Sequence, residues 1–166
     1  LGLAVIFGLL GIVNFAHGTL YMLGAFIGYS LVRYTGSYWL ALILAPIAVG
    51  AIGTVFELGI LRRLYRRDAH AFLMVTFGLA LVVGEAVRLV WGPDALQVPP
   101  PKLLSGVIFM LDEPFPVYRL FLVGAGIILA VSLWQLLERT RLGLLIRATS
   151  QNAEMVHALG VDVGLV

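Results

Sequence analysis

An all-α, polytopic integral membrane bundle is the fold class that this sequence predicts, and three observations predict it. Of the 166 residues, 61% are hydrophobic and only 12% charged, and the mean hydropathy is +1.02, whereas a soluble domain is apolar over about half its residues. Apolar runs approaching the roughly 20 helical residues that span a hydrocarbon core recur along the chain. The polar segments between them alternate in charge character, as a chain that crosses and returns requires.

The first apolar run, LGLAVIFGLLGIV (1–13), begins at Leu1 with no basic stretch and no small-residue cleavage site. It reads as the remnant of a helix in a piece of a longer protein, truncated at both ends, not as a signal peptide. Four further runs follow at 18–34, 37–61, 71–91 and 117–137, making about four to five membrane segments. Residues 62–70, RRLYRRDAH, are strongly basic. Residues 92–116 are rich in proline and carry three acids and one Lys. The tail from Glu138 bears Arg139, Arg141 and Arg147.

Lys/Arg excess marks cytoplasmic segments, which places 62–70 and 138–166 inside and 92–116 outside. The two crossings between the basic segments return the chain to the side it left. Tyr34, Tyr38, Trp39, Trp91 and Tyr118 then gather at the outer face and Tyr21, Tyr65 and Trp134 at the inner one, as interfacial aromatics do. Glycine pairs Gly24/Gly28, Gly50/Gly53, Gly78/Gly84 and Gly124/Gly126 offer small faces for close helix packing. Pro46 lies inside a run, where it frees a carbonyl and bends the helix.

Several function classes are excluded by composition. The chain has no cysteine, so neither a disulfide framework nor a thiolate metal site is expected. His17, His70 and His157 sit on separate segments without metal-ligand spacing. Ser105 precedes Gly106, but no His in the outer half could activate it, so no catalytic residue is expected. A net charge of +2 with no Lys/Arg stripe among aromatics indicates membrane orientation and no nucleic-acid partner. Glu85 and Arg88 are three apart, an ion pair near the headgroups or a substrate gate.

The stretch VNFAHGTLYM (13–22) interrupts a run that has no charged residue from Leu1 to Val32. Asn14 and His17, followed by Gly18 and Thr19, are costly in hydrocarbon unless hydrogen-bonded or beside a cavity. Two readings stand. Asn14 and His17 cap helix ends at a break across 14–18, with Thr19 adding a hydroxyl; or a broken helix sets polar groups and free backbone against a translocation path.

GIVNFAHGTLYMLGAF (11–26) resembles the signature of permease subunits of bacterial ABC importers for branched-chain amino acids, and of related importers of urea and short amides. The resemblance extends over the chain as a single 1–166 transmembrane domain, through FGLALVVGEAVRLVWG, the proline-containing outer loop and RTRLGLLIRATSQNAEMVHALGV. It implies a multi-pass subunit of the bacterial inner (plasma) membrane, in contact with lipid. Its implied partners are a second, similar permease (a heterodimer), two cytoplasmic ATP-binding subunits and a periplasmic solute-binding protein. No cofactor is expected: the chain lacks G-x-x-x-x-G-K-[ST], so ATP is bound and hydrolysed by the partners. Rival readings are a urea or short-amide permease, an uncoupled channel or secondary transporter, and a structural membrane scaffold.

EMVHALG (154–160) keeps the Glu and Gly of the E-A-A-x-x-x-G coupling loop of ABC permeases, with Met155 and Val156 in place of the alanines. The resemblance makes 138–166 a cytoplasmic coupling segment. A short helix is expected from about 148 to 160, capped by Thr149, Ser150 or Asn152 and stopped by Gly160. Ala153, Val156 and Leu159, flanked by Met155 and Ala158, would give it an apolar face for a groove on the ATPase. Glu154 falls in its first turn, as a local cap or a charged contact to that partner.

Overall fold

Thr35, Gly36 and Ser37 turn the chain between two long helices, and each residue has a separate task. The Thr35 hydroxyl donates to Leu31 O at 2.6 Å, and Gly36, at φ +67°, returns its N–H to Val32 O at 2.9 Å. Ser37 Oγ then accepts from Leu40 N at 3.4 Å and starts the next helix. Terminal groups on both helices, Val32 O of one and Leu40 N of the next, are thus satisfied within three residues. The helices are α1 (Ala16–Thr35) and α2 (Tyr38–Gly59); a 3-10 turn at Leu61–Arg63 and α3 (Ala69–Trp91) follow. The computed structural model describes residues 2–3, 8, 14–64, 69–94, 96–110 and 113–161.

The chain forms two compact units, Ile12–Pro101 and a second one containing Lys102–Val166. In the first, α1 packs against both α2 and α3 and is the most covered of the three helices. Its seam with α2 is antiparallel and built from small residues. A methyl group placed on Gly24 would meet Val49 at 3.4 Å, on Gly28 would meet Ala45 at 3.8 Å, and on Gly53 would meet Leu20 at 3.9 Å. Ala41 and Ala45 are buried on the same stripe of α2. Gly50, Gly78, Gly84, Gly124 and Gly126, which the sequence also offers as packing faces, have nothing within 4 Å among the described residues.

Against α3, α1 makes ring contacts at two levels: Phe15 meets Phe77 edge-on at 6.1 Å, and Phe26 meets Trp91 at 5.6 Å. Positions rising along one helix thus meet positions rising along the other, so α1 and α3 run parallel. Pro46 lies inside α2, as expected.

In the second unit, a 3-10 turn (Lys102–Leu104) leads to a hairpin of β1 (Val107–Met110) and β2 (Glu113–Pro116), within the proline-rich outer loop of 92–116. Val107 pairs with Pro116 and Phe109 with Pro114. The Val117 N–H to Gly106 O bond of 2.9 Å sets the alternation, so both prolines occupy positions whose nitrogens face away from β1. Lacking N–H groups, they leave the free edge of β2 without a donor at those positions. The chain continues directly into α4 (Val117–Arg139), α5 (Arg141–Gln151) and α6 (Ala153–Ala158).

Three helices are long and apolar enough to cross a membrane among the described residues: Tyr38–Gly59, His70–Trp91 and Val117–Arg139. They expose apolar side chains over most of their length, including Ile43, Ile47, Leu81, Leu89, Ile128 and Leu129. Thr76, by contrast, is fully buried, with its hydroxyl donating to Leu73 O at 3.1 Å. Apolar side chains outside and a satisfied Thr76 inside suit hydrocarbon, and the chain is a helical membrane protein. The 20-residue α1 carries His17, Thr19, Ser30 and Arg33, so it is the least apolar of the four long helices. Its cover by two neighbours accommodates that.

Candidate functional site

Asn14 stands just before α1 and holds its start. Its Oδ1 accepts from Ala16 N at 3.0 Å and its carbonyl accepts from His17 N at 3.2 Å. One residue thereby satisfies two of the free N–H groups at the helix N-terminus. Ala16 is buried, Asn14, His17 and Thr19 are half-buried, and Gly18 is exposed with nothing within 4 Å of a Cβ. The chain immediately upstream, residues 9–13, where the other side of an expected break would fall, lies outside the described residues.

Glu57 was not singled out by sequence reasoning. The α1–α2 register of Leu20 with Gly53, Gly24 with Val49 and Gly28 with Ala45, carried one turn further, sets Glu57 of α2 beside the start of α1. It is half-buried and lies four residues beyond Gly53 on the packing stripe. Its signal was available: it is the lone carboxylate between Leu1 and Leu61. A carboxylate, Asn14 and His17 thus share one end of the α1–α2 seam.

At the other end of that seam Trp91 donates its indole N–H to Ser30 Oγ at 2.7 Å. The ring is half-buried against Phe26, so Trp91 turns into the bundle, while Tyr34 near the end of α1 is 87% exposed. Glu85 and Arg88 form the expected i,i+3 pair on α3 at 3.8 Å, both side chains well exposed. Among the described residues no three His, Asp or Glu gather to hold a metal ion.

The coupling segment differs from its expected form. A helix does not start near 148: α5 runs on to Gln151, and α6 begins only after Asn152. Asn152 leaves helical geometry at φ −155°, and its side chain accepts from Met155 N at 3.0 Å, making it the cap of α6. Gly160 stops the helix as expected. Its φ is +84°, its N–H bonds His157 O at 3.0 Å, and Val161 N bonds Val156 O at 3.4 Å. That pair of bonds is the Schellman arrangement, which needs a residue free of a Cβ clash at positive φ.

Val156 is buried within the chain, at 7% exposure, and is therefore unavailable to a partner. Apolar surface remains at Met155, Ala158 and Leu159, all exposed. The side chain of Glu154 lies outside what is described.

Between α4 and α5 the chain makes a tight elbow that sequence reasoning did not anticipate. The Thr140 hydroxyl donates to Leu136 O and accepts from Gly143 N at 3.1 Å. Gly143 is buried, and a Cβ there would overlap the carbonyl oxygens of Leu136 and Leu137. Arg147 Nη1 reaches back to Leu137 O at 2.6 Å and to Glu138 Oε2 at 2.9 Å.

A family model described as branched-chain amino acid transport system, permease component, matches residues 1–166. Over 182 aligned residues the chain is 28% identical to the high-affinity branched-chain amino acid transport system permease protein BraD of Pseudomonas aeruginosa, covering 98% of this chain and 57% of that protein. It is 24% identical to the permease protein LivH of Salmonella typhimurium, covering 100% of this chain and 58% of LivH, and equally so to LivH of Salmonella typhi. The chain therefore spans less than two thirds of the length of these relatives. No solved structure matches it significantly. With its apolar helices of membrane-spanning length, the chain belongs to the permease component family of branched-chain amino acid transport systems.

Proposed function

We propose that this chain is part of the transmembrane permease subunit of an ATP-driven importer of branched-chain amino acids, a multi-pass protein of the bacterial inner membrane. The observation that carries the reading is the family match across residues 1–166. The subunit has no catalytic site of its own and binds no cofactor; two cytoplasmic ATP-binding subunits supply the energy. A second, similar permease completes the path, and a periplasmic solute-binding protein delivers the solute.

Within that function the polar start of α1, with Asn14, His17, Gly18 and Thr19, borders the translocation path, where its groups find partners that hydrocarbon does not offer. On the cytoplasmic side α6 docks on the ATPase through Met155, Ala158 and Leu159. Glu154 and Gly160 frame that contact, and Val156 anchors α6 to the rest of its own chain. The capping of α6 at Asn152 and its stop at Gly160 support a preformed docking element.

The test is uptake of radiolabelled leucine by proteoliposomes holding the full-length permease with its partner subunits. ATP-dependent uptake that unlabelled isoleucine and valine inhibit, and urea does not, is the expected result. Inhibition by urea or acetamide alone would move the substrate assignment to amides. Uptake independent of ATP would replace the importer by an uncoupled pathway.

A further inference from the structure

The coupling reading requires that motion at α6 reach the membrane, and α6 is too small to do so alone. It has six residues and the preceding α5 eleven, whereas isolated helices shorter than about 12–15 residues are marginal in water. Their positions must come from ties to α4.

Those ties converge on the elbow. Leu136 O and Leu137 O belong to the last turn of α4, where carbonyls have no partner within the helix. Thr140 occupies the first and Arg147 the second. Arg147 reaches Leu137 O from α5, ten residues further along, and its guanidinium at the same time holds Glu138, the penultimate residue of α4. A charged donor on a terminal carbonyl also complements the negative end of the helix dipole. The missing side chain of Gly143 lets the first turn of α5 rest against the same carbonyls. Both an ion pair and a backbone bond must break before α5 swings away from α4.

We propose that Arg147 is a positioning residue for coupled transport: by bridging Glu138 and the Leu137 carbonyl it locks α5 to α4, so that displacement of the docked α6 is passed to the membrane helix and not absorbed at the elbow. The proposal rests on the coupling reading given above for α6.

Two measurements on the full-length permease in its complex separate the joint from the docking. In the first, spin labels at the exposed positions 135 on α4 and 151 on α5 report their distance distribution. One narrow distribution is expected for the parent and for Arg147→Lys, which keeps a donor and a charge, and a broad one for Arg147→Gln. If Arg147→Gln does not assemble, Arg147→Met, which keeps an unbranched side chain and removes both bonds of the bridge, is measured in its place and is expected to broaden the distribution. A distribution as narrow as the parent's in the variant measured overturns the joint.

In the second, solute-stimulated ATP hydrolysis is expected to fall about tenfold in Arg147→Gln, within the usual range of coupling between sites, while the ATPase still co-purifies and Arg147→Lys restores stimulation. Full stimulation in Arg147→Gln overturns the proposal. Failure of a Leu159→Cys parent to crosslink to the ATPase would instead overturn the docking reading on which it rests, and with it the transmitting role.

Discussion

The indole N–H of Trp91 donates to the hydroxyl of Ser30 across 2.7 Å, joining the C-terminal ends of the parallel helices α1 and α3. The bond is part-buried and links residues 61 apart in the chain. Ser30→Ala leaves the indole without this acceptor and is expected to cost about 1 kcal/mol, in the range of interhelical hydrogen bonds in membranes. Trp91→Phe removes both the donor and part of the packing on Phe26 and costs more. Thermal unfolding of the detergent-solubilised protein measures both; equal stability of Ser30→Ala and the parent would show the bond contributes nothing. Ser30→Leu drives a branched side chain against Trp91 and is expected to be harmful.

Asn14 presents a different balance, because its side chain serves the backbone of α1. Asn14→Ala is expected to cost about 1 kcal/mol as a lost cap, and Asn14→Asp to keep the capping acceptor. Leucine uptake separates capping from a role on the path. If Asn14→Asp is as stable as the parent but transports poorly, the amide acts on solute or water beyond its cap; if it transports normally, capping accounts for the residue.

Gly24 and Gly50 look alike in sequence and differ in surroundings. A Cβ on Gly24 meets Val49 at an ordinary contact distance of 3.4 Å, and one on Gly50 meets nothing. Gly24→Ala is therefore tolerated and gains up to about 1 kcal/mol of helix propensity. Gly24→Leu wedges α1 from α2 and costs about 1–3 kcal/mol, whereas Gly50→Leu is tolerated. Unfolding midpoints of the three variants give the answer, and a well-folded Gly24→Leu would refute this seam.

Topology follows from the Arg-rich segment and the outer loop. A cysteine at position 103, where Leu103 is 79% exposed, is expected to react with an impermeant thiol reagent applied to intact cells, and one at Arg62 only after permeabilisation. The opposite pattern would invert the orientation of every helix.

Gly160 is held at φ +84° by two backbone bonds. A β-branched residue there pays about 1–2 kcal/mol for left-handed geometry, so Gly160→Val is expected to unravel the end of α6 and lower solute-stimulated ATP hydrolysis. Gly160→Asn, which tolerates that region, loses less. Since the motif lies outside the membrane helices, both variants are expected to elute from size exclusion as the parent does. Undiminished stimulation in Gly160→Val would reduce the segment to an ordinary surface helix.

Length and apolarity are local sums, and the sequence by itself determined what depends on them: the long helices, the start of α4 at Val117 and the stop at Gly160, with Asn152 as one of three caps it offered. Rotation of each helix about its axis was decided only by tertiary structure. A membrane helix that is apolar all round carries no stripe to say which face meets a neighbour, so Gly24, Gly28 and Gly53 could not be told from Gly50, Gly78 or Gly126. The same reason hid the inward turn of Trp91, the burial of Val156 and the position of Glu57 on the α1–α2 packing stripe. The elbow was invisible for a further reason. Arg147, Glu138 and Leu137 O meet because Gly143 lets two helix ends touch, and a contact made of backbone oxygens leaves no pattern in the order of side chains.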